Sequence, residues 1–189
     1  MSITEKLLII TGGPGTGKTT IIRCIIDAFE KMNYKTLLAA PTGRAAKRMT
    51  EATGLEAKTI HRLLEYNPQE NLFNKNEKEP LTCDALIIDE ISMVDTYLMY
   101  HILKGINKET TIIMVGDDNQ LPSIGAGNVL YEMIHCGVIP SIKLTTIFRQ
   151  EQESKIIINS HRVNCGEMPL IRSDQNELSD FYFIEQKDQ

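Results

Sequence analysis

The chain has 189 residues, 42% hydrophobic and 24% charged, enough for one substantial core and part of a second domain. Its 20 Lys and Arg against 25 Asp and Glu leave a net charge of −5, which excludes a globally basic surface and confines any nucleic-acid contact to a local patch. No apolar run approaches bilayer length, no signal-peptide pattern opens the chain, and the four cysteines form no C-x-x-C pair. These features argue against a membrane partner, a zinc site and a disulfide framework, and they place the chain, as an expectation, in a reducing cytoplasm.

In chain order, a short apolar run predicts a strand over 6–11, followed by a glycine-rich turn and a helix over 17–32. A strand over 35–40 precedes helices over 43–52 and 59–64. The polar stretch 67–80, rich in Asn, Glu and Lys, reads as an exposed loop. Beyond it come a strand over 85–89, a helix over 96–105, a strand over 111–115, a helix over 127–135, a strand over 142–144 and a helix over 153–165. The alternation predicts an α/β fold with a mostly parallel sheet, and the unbroken apolar strands predict helices on both of its faces. Met93, Met99, Met114 and Met133 read as core residues. The segment 180–185, Asp-Phe-Tyr-Phe-Ile-Glu, reads as a strand with no partner surface, so the chain is expected to be a piece of a longer protein or to need a partner.

Residues 12–19, Gly-Gly-Pro-Gly-Thr-Gly-Lys-Thr, match the phosphate-loop spacing G-x-x-x-x-G-K-[ST] between a strand and a helix. The glycines allow backbone N–H groups to turn inward as a concave anion site, and the helix presents its positive end to the same place. Gly13, Pro14, Gly15, Thr16, Gly17, Lys18, Thr19 and Thr20 are therefore the candidate ATP-binding residues. Lys18 reaches the outer phosphates and Thr19 offers its hydroxyl to Mg²⁺. The strand Leu86-Ile-Ile-Asp-Glu90 delivers Asp89 as a second metal ligand and Glu90 as the residue that polarises an attacking water. Gln120, after another strand, suits a γ-phosphate sensor because a neutral amide bonds both phosphate and water. A Gly/Asp/Asn-rich turn explains the same stretch equally well. Arg149 is a candidate for stabilising charge on the γ-phosphate, with a plain surface arginine as the alternative.

These residues fall within blocks that resemble the first motor domain of superfamily 1 DNA helicases of the RecD/TraA group (the exodeoxyribonuclease V alpha-chain type). The blocks are 12–20, Ala40-Pro-Thr-Gly-Arg-Ala-Ala-Lys-Arg-Met49, Thr59-Ile-His-Arg-Leu-Leu64, Ile88-Asp-Glu-Ile-Ser-Met-Val-Asp95, the stretch 115–130 with its Gln-Leu-Pro-Ser-x-Gly core, Ile147-Phe-Arg-Gln150 and 159–169. They occur in family order over nearly the whole chain. The resemblance implies a RecA-like phosphate-loop ATPase domain over 1–170, with 171–189 opening the remainder. It implies that ATP hydrolysis drives 5′-to-3′ movement on single-stranded DNA, by a parent protein that acts either alone or with other helicase–nuclease subunits.

It also implies catalytic roles for Lys18, Glu90, Gln120 and Arg149, and DNA contacts from Pro41, Thr42, Arg44, Lys47, Thr59 and His61. Arg44, Lys47 and Arg48 fall on adjacent turns of one predicted helix, a small basic cluster suited to phosphate contacts. Whether His161-Arg162 touches DNA, a neighbouring domain or only solvent is left open. Asn119 stands where the family pattern leads one to expect aspartate, and Thr146 where it leads one to expect glutamate. The family's second motor domain and its adenine-reading glutamine segment have no counterpart in the chain.

Two other readings compete. A thymidine-kinase-like enzyme shares a phosphate loop and an Asp-Glu pair, but usually carries paired cysteines that this chain lacks. A regulatory nucleotide-binding module that clamps a partner without turnover would suit a chain with no second motor domain.

Overall fold

The computed structural model describes residues 5–146, 154–171 and 180–182. In chain order the elements are β1 (Leu7–Gly12), α1 (Lys18–Lys31), β2 (Thr36–Ala40), α2 (Gly43–Thr53), β3 (Ala57–Thr59), α3 (Ile60–Leu63), β4 (Tyr66–Asn67) and β5 (Leu72–Phe73). There follow β6 (Ala85–Ile88), a 3-10 turn at Ile91–Met93, α4 (Thr96–Lys104), β7 (Thr111–Gly116), α5 (Val129–His135), β8 (Ser141–Leu144) and α6 (Lys155–Asn164). Six strands form one parallel sheet in the order β3-β2-β6-β7-β1-β8. This is the α/β architecture the alternating pattern predicts.

Alternate residues of each strand face opposite sides of the sheet, so a continuous apolar run feeds two cores. Leu8 and Ile10 of β1, Ile87 of β6, and Ile113 and Val115 of β7 pack with Ile22, Ile25, Ile26 and Phe29 of α1 and Met49 of α2. The α1 residues recur at helical spacing, which places its apolar stripe on the sheet. On the other face Ile9, Leu86, Ile88 and Met114 pack with Ile60, Leu98, Met99, Ile102 and Leu130 from α3, α4 and α5. Among the described residues no helix is long and apolar enough to cross a membrane.

Five sequence expectations change. The stretch 67–80 is not a plain loop: β4 and β5 form a small antiparallel pair, with Tyr66 opposite Phe73. Phe73 is 5% exposed and meets the rings of Tyr66 (4.9 Å between centroids) and His101 (4.4 Å). One buried aromatic thus pins a segment whose polar composition concealed it. The edge strand β3 is too short to show a period, and it forms because Ala57 to Thr59 pair with Leu38 to Ala40. Helix α5 begins at Val129 rather than 127, since Gly127 sits at φ +91° with the Thr96 hydroxyl where a Cβ would be. Met93, expected in the core, is 47% exposed beside the candidate site, whereas Met99 and Met114 are buried. Of the expected strand at 180–185, residues 180–182 are described and form no strand; 183–185 lie outside the described residues.

Phe73→Ala removes the ring that joins the β4–β5 pair to α3 and α4. It is expected to lower stability by about 3 kcal/mol, the usual scale for a phenylalanine cavity. Urea unfolding monitored by circular dichroism checks this, and a midpoint unchanged from wild type would contradict the anchoring role.

Candidate nucleotide-binding site

In a parallel sheet every strand ends on the same edge, and the loops that follow gather there. Strand β7 lies between β1 and β6. The loop after β7 therefore opens between the phosphate loop after β1 and the acidic pair after β6. Pro14, Lys18, Thr19, Arg48, Asp89, Glu90 and Gln120 line one cleft of about 380 Å³ at this edge.

The loop is held from within. Thr16, 4% exposed, donates its hydroxyl to the Gly13 carbonyl at 2.9 Å, so its side chain braces the turn. Lys18 Nζ donates to the Gly12 and Gly13 carbonyls at 2.6 and 2.9 Å, which keeps the ammonium inside the loop. Gly15 and Gly17 have φ of 75° and 80°, conformations that a side chain would strain. Gly12 has no room for one, because a Cβ there would lie 3.0 Å from the Leu144 carbonyl. Thr19 is exposed in the cleft lining. Thr20 is exposed on α1 but is not among the lining residues.

Asp89 and Glu90 follow β6 directly. Burial pushes the Asp89 carboxyl above the usual carboxylate range, opposed by the Glu90 N–H, which donates to Asp89 Oδ1 at 2.9 Å. The charges of Lys18 and Arg48 also act on Asp89 and pull in the same opposing direction. Glu90 sits at φ 55°, ψ 41°, a left-handed conformation uncommon for glutamate that the exposed Glu65 shares at φ 53°. Gln120 Oε1 accepts from Ser92 Oγ at 3.3 Å, and Ser92 is buried in the 3-10 turn just past Glu90.

An acid whose folded pKa is raised binds its proton more tightly in the folded state than in the unfolded state. That contribution is neutral below the unfolded value and becomes destabilising as pH rises through the folded one. Asp89→Asn keeps an acceptor for the Glu90 N–H and removes the buried charge. The variant is expected to melt at a higher temperature than wild type at neutral pH, with the gap closing toward pH 4. Thermal melts across that pH range in metal-free buffer test this; a lower melting temperature at neutral pH would contradict it.

Beside the cleft, β2 and β3 pair with Ala40 opposite Thr59, which brings Pro41-Thr42 and Thr59-His61 to adjoining strand ends. Thr42 and Thr59 are helix N-caps, accepting from Ala45 N at 3.2 Å and Arg62 N at 3.3 Å. Each hydroxyl keeps its own proton to donate. The exposed His61 ring meets Tyr66 edge-on at 5.4 Å. Arg44 lines a second hollow with Thr42, Glu90, Met93 and Gln120. Lys47 lies apart, in an exposed pair with Glu51 at 3.8 Å. Arg149 lies outside the described residues.

Three more residues lie near the site: Ser92, which the sequence did not single out, Arg48, read there as part of the basic cluster of α2, and His161, whose contact was left open. His161 of α6 has its Nε2 3.2 Å from the Pro14 carbonyl, so the C-terminal helix touches the phosphate loop. Ser92 lies inside a block already matched by resemblance, and Arg48 is one turn beyond Arg44. The packing of His161 on a loop 147 residues away leaves no local trace in the sequence.

A parallel sheet that gathers a phosphate loop, an acidic pair and a glutamine on one edge defines a RecA-like phosphate-loop nucleotide-binding domain. A family model described as an AAA domain matches residues 1–126, and the chain belongs to that family. It is similar to the ATP-dependent RecD2 DNA helicase of Deinococcus radiodurans, at 42% identity over 165 residues covering 87% of this chain and 22% of that protein. It is also similar to the RecBCD enzyme subunit RecD of Mycolicibacterium smegmatis, at 34% identity over 158 residues covering 71% of this chain and 28% of that protein. Among solved structures, the Pif1 helicase from Candida albicans matches 86% of this chain and 41% of its own, with a TM-score of 0.61 and 27% identity. The chain thus spans about a quarter of the length of these two curated relatives. The motif-level resemblance to RecD-type helicases agrees with these relatives.

Proposed function

We propose that this chain is the first motor domain of an ATP-dependent DNA helicase that moves 5′ to 3′ on single-stranded DNA, with 1–170 as the motor and 171–189 leading into further sequence. The observation that carries the reading is the single cleft shared by Lys18, Thr19, Asp89, Glu90 and Gln120. Lys18 and the loop backbone from Gly13 to Thr20 hold the phosphates. Glu90 orients and deprotonates the attacking water, and Gln120, steadied by Ser92, hydrogen-bonds water and γ-phosphate. Arg149 completes the charge around that phosphate. Thr19 and Asp89 offer hard oxygen donors in the same cleft, the donor type Mg²⁺ takes. When bound there, Mg²⁺ neutralises charge on the outer phosphates.

Pro41, Thr42, Arg44, Lys47, Thr59 and His61 form the nucleic-acid side. Contacts to phosphates rather than base edges suit a motor that must tolerate any sequence. The exposed Lys47–Glu51 pair is worth little, so Lys47 is free to exchange that partner for a phosphate. Movement requires a second motor domain that closes on this one with each nucleotide cycle. Partner subunits of a helicase–nuclease complex, and work in the cytoplasm, belong to the same reading.

The test measures ATP hydrolysis with and without an oligo-dT strand, together with oligo-dT affinity across a salt series. Arg44→Ala/Lys47→Ala is expected to weaken oligo-dT binding and to flatten its salt dependence by roughly 0.7 per lost contact. Unchanged affinity and slope would remove α2 from the nucleic-acid side. Phosphate transfer that depends on an added nucleoside would instead favour the kinase reading.

A further inference from the structure

The three basic residues of α2 occupy three different environments. Lys47 faces Glu51, and Arg44 lines the hollow beside the nucleotide cleft. Arg48 lines both that hollow and the cleft itself, and among the described residues the others common to the two are Glu90 and Gln120. The helix approaches the sheet closely here because Ala45 and Ala46 pack on Ala40 and Ala57, small side chains that leave little between backbone and strand. Among the described residues Arg48 has neither an ion pair nor a hydrogen-bond partner, although its charge reaches the Asp89 carboxyl. Arg48 is exposed where it lines the cleft, and an arginine fork at that polar edge matches the geometry of a tetrahedral oxyanion.

We propose that Arg48 is a ligand of the third phosphate of the bound nucleoside triphosphate, supplied in cis by α2. The hollow that Arg48 shares with Glu90 and Gln120 contains no phosphate-loop residue, which puts Arg48 on the γ-phosphate side of the cleft rather than on the loop side. One helix then carries a nucleotide sensor at 48 and, one turn earlier, the Arg44 side chain that faces the nucleic acid. Loss of the third phosphate frees the Arg48 end of α2 and so reports the nucleotide state to the Arg44 end. The inference rests on the nucleotide reading above.

The experiment titrates β,γ-imido-ATP and ADP, each with Mg²⁺, against the wild-type chain and the variants Arg48→Ala, Arg48→Lys and Lys31→Ala. Lys31 is an exposed charge at the far end of α1 and controls for lost charge alone. Arg48→Ala is expected to weaken β,γ-imido-ATP roughly ten- to a hundredfold, the scale of a charged hydrogen-bonding pair, with ADP affinity little changed. Arg48→Lys should recover part of the loss, since an ammonium restores the charge but not the fork. An Arg48→Ala variant that keeps the wild-type preference for the triphosphate overturns the proposal. So does equal loss of both nucleotides, or weakened oligo-dT binding with the preference intact. A wild-type chain that binds neither nucleotide overturns the nucleotide reading along with this one.

Discussion

Glu90→Gln is expected to abolish ATP turnover while leaving nucleotide binding in place. The amide is nearly isosteric and retains an oxygen to orient water, but it cannot accept the proton released as the water attacks. General-base contributions of this kind are worth about 10²–10⁴-fold in rate. The local geometry supports a role for this side chain in particular. Glu90 is the residue after β6, its N–H is fixed on Asp89 Oδ1, and its backbone is held left-handed at φ 55°. Equilibrium binding of a non-hydrolysable ATP analogue and steady-state phosphate release, measured on the same preparation, separate the two effects. Turnover within about threefold of wild type would move the base to another residue.

Lys18→Ala is expected to remove nucleotide affinity itself. The ammonium is already inside the loop, donating to the carbonyls of Gly12 and Gly13 at 2.6 and 2.9 Å, so little ordering stands between this state and contact with phosphate. Losing a charged hydrogen-bonding group of this type costs about 1.5–3 kcal/mol, or roughly ten- to a hundredfold in affinity, with turnover reduced further. A second consequence follows from the neighbouring acid. The Lys18 charge pulls the Asp89 carboxyl downward against burial, so its removal raises that carboxyl further. Calorimetric titration with Mg²⁺-ATP measures the affinity. A variant that binds as tightly as wild type would show that the backbone cradle suffices.

Both predictions concern residues that short windows of sequence identify, because the phosphate loop and the acidic pair are local. A tight glycine turn between an apolar strand and a helix, or two acids at a strand end, requires only neighbours along the chain to take shape. The same holds for the apolar stripe of α1 and for the continuous runs of β6 and β7, which announce a sheet covered on both sides. Their spacing is enough to predict the fold class, which the parallel sheet bears out, and to nominate the candidate nucleotide-site residues.

Other features depend on which strands become neighbours. The placement of β7 between β1 and β6 brings Gln120 to the acidic pair, and nothing local to 111–120 encodes that order. Hairpin β4–β5 exists because Phe73 finds a core provided by α3 and α4, against a composition that reads as loop. Met93 is apolar yet exposed because the 3-10 turn carries it to the sheet edge rather than under it. Arg48 and Lys47 are adjacent in sequence, but a 100° step around α2 sends one to the cleft and the other to Glu51. His161 meets Pro14 only because α6 folds back over the phosphate loop. Local chemistry is written in runs of a few residues, and those runs specify the parts of the candidate site. Partners distant along the chain are chosen by burial and strand pairing, and that choice placed Ser92, Arg48 and His161 around the parts.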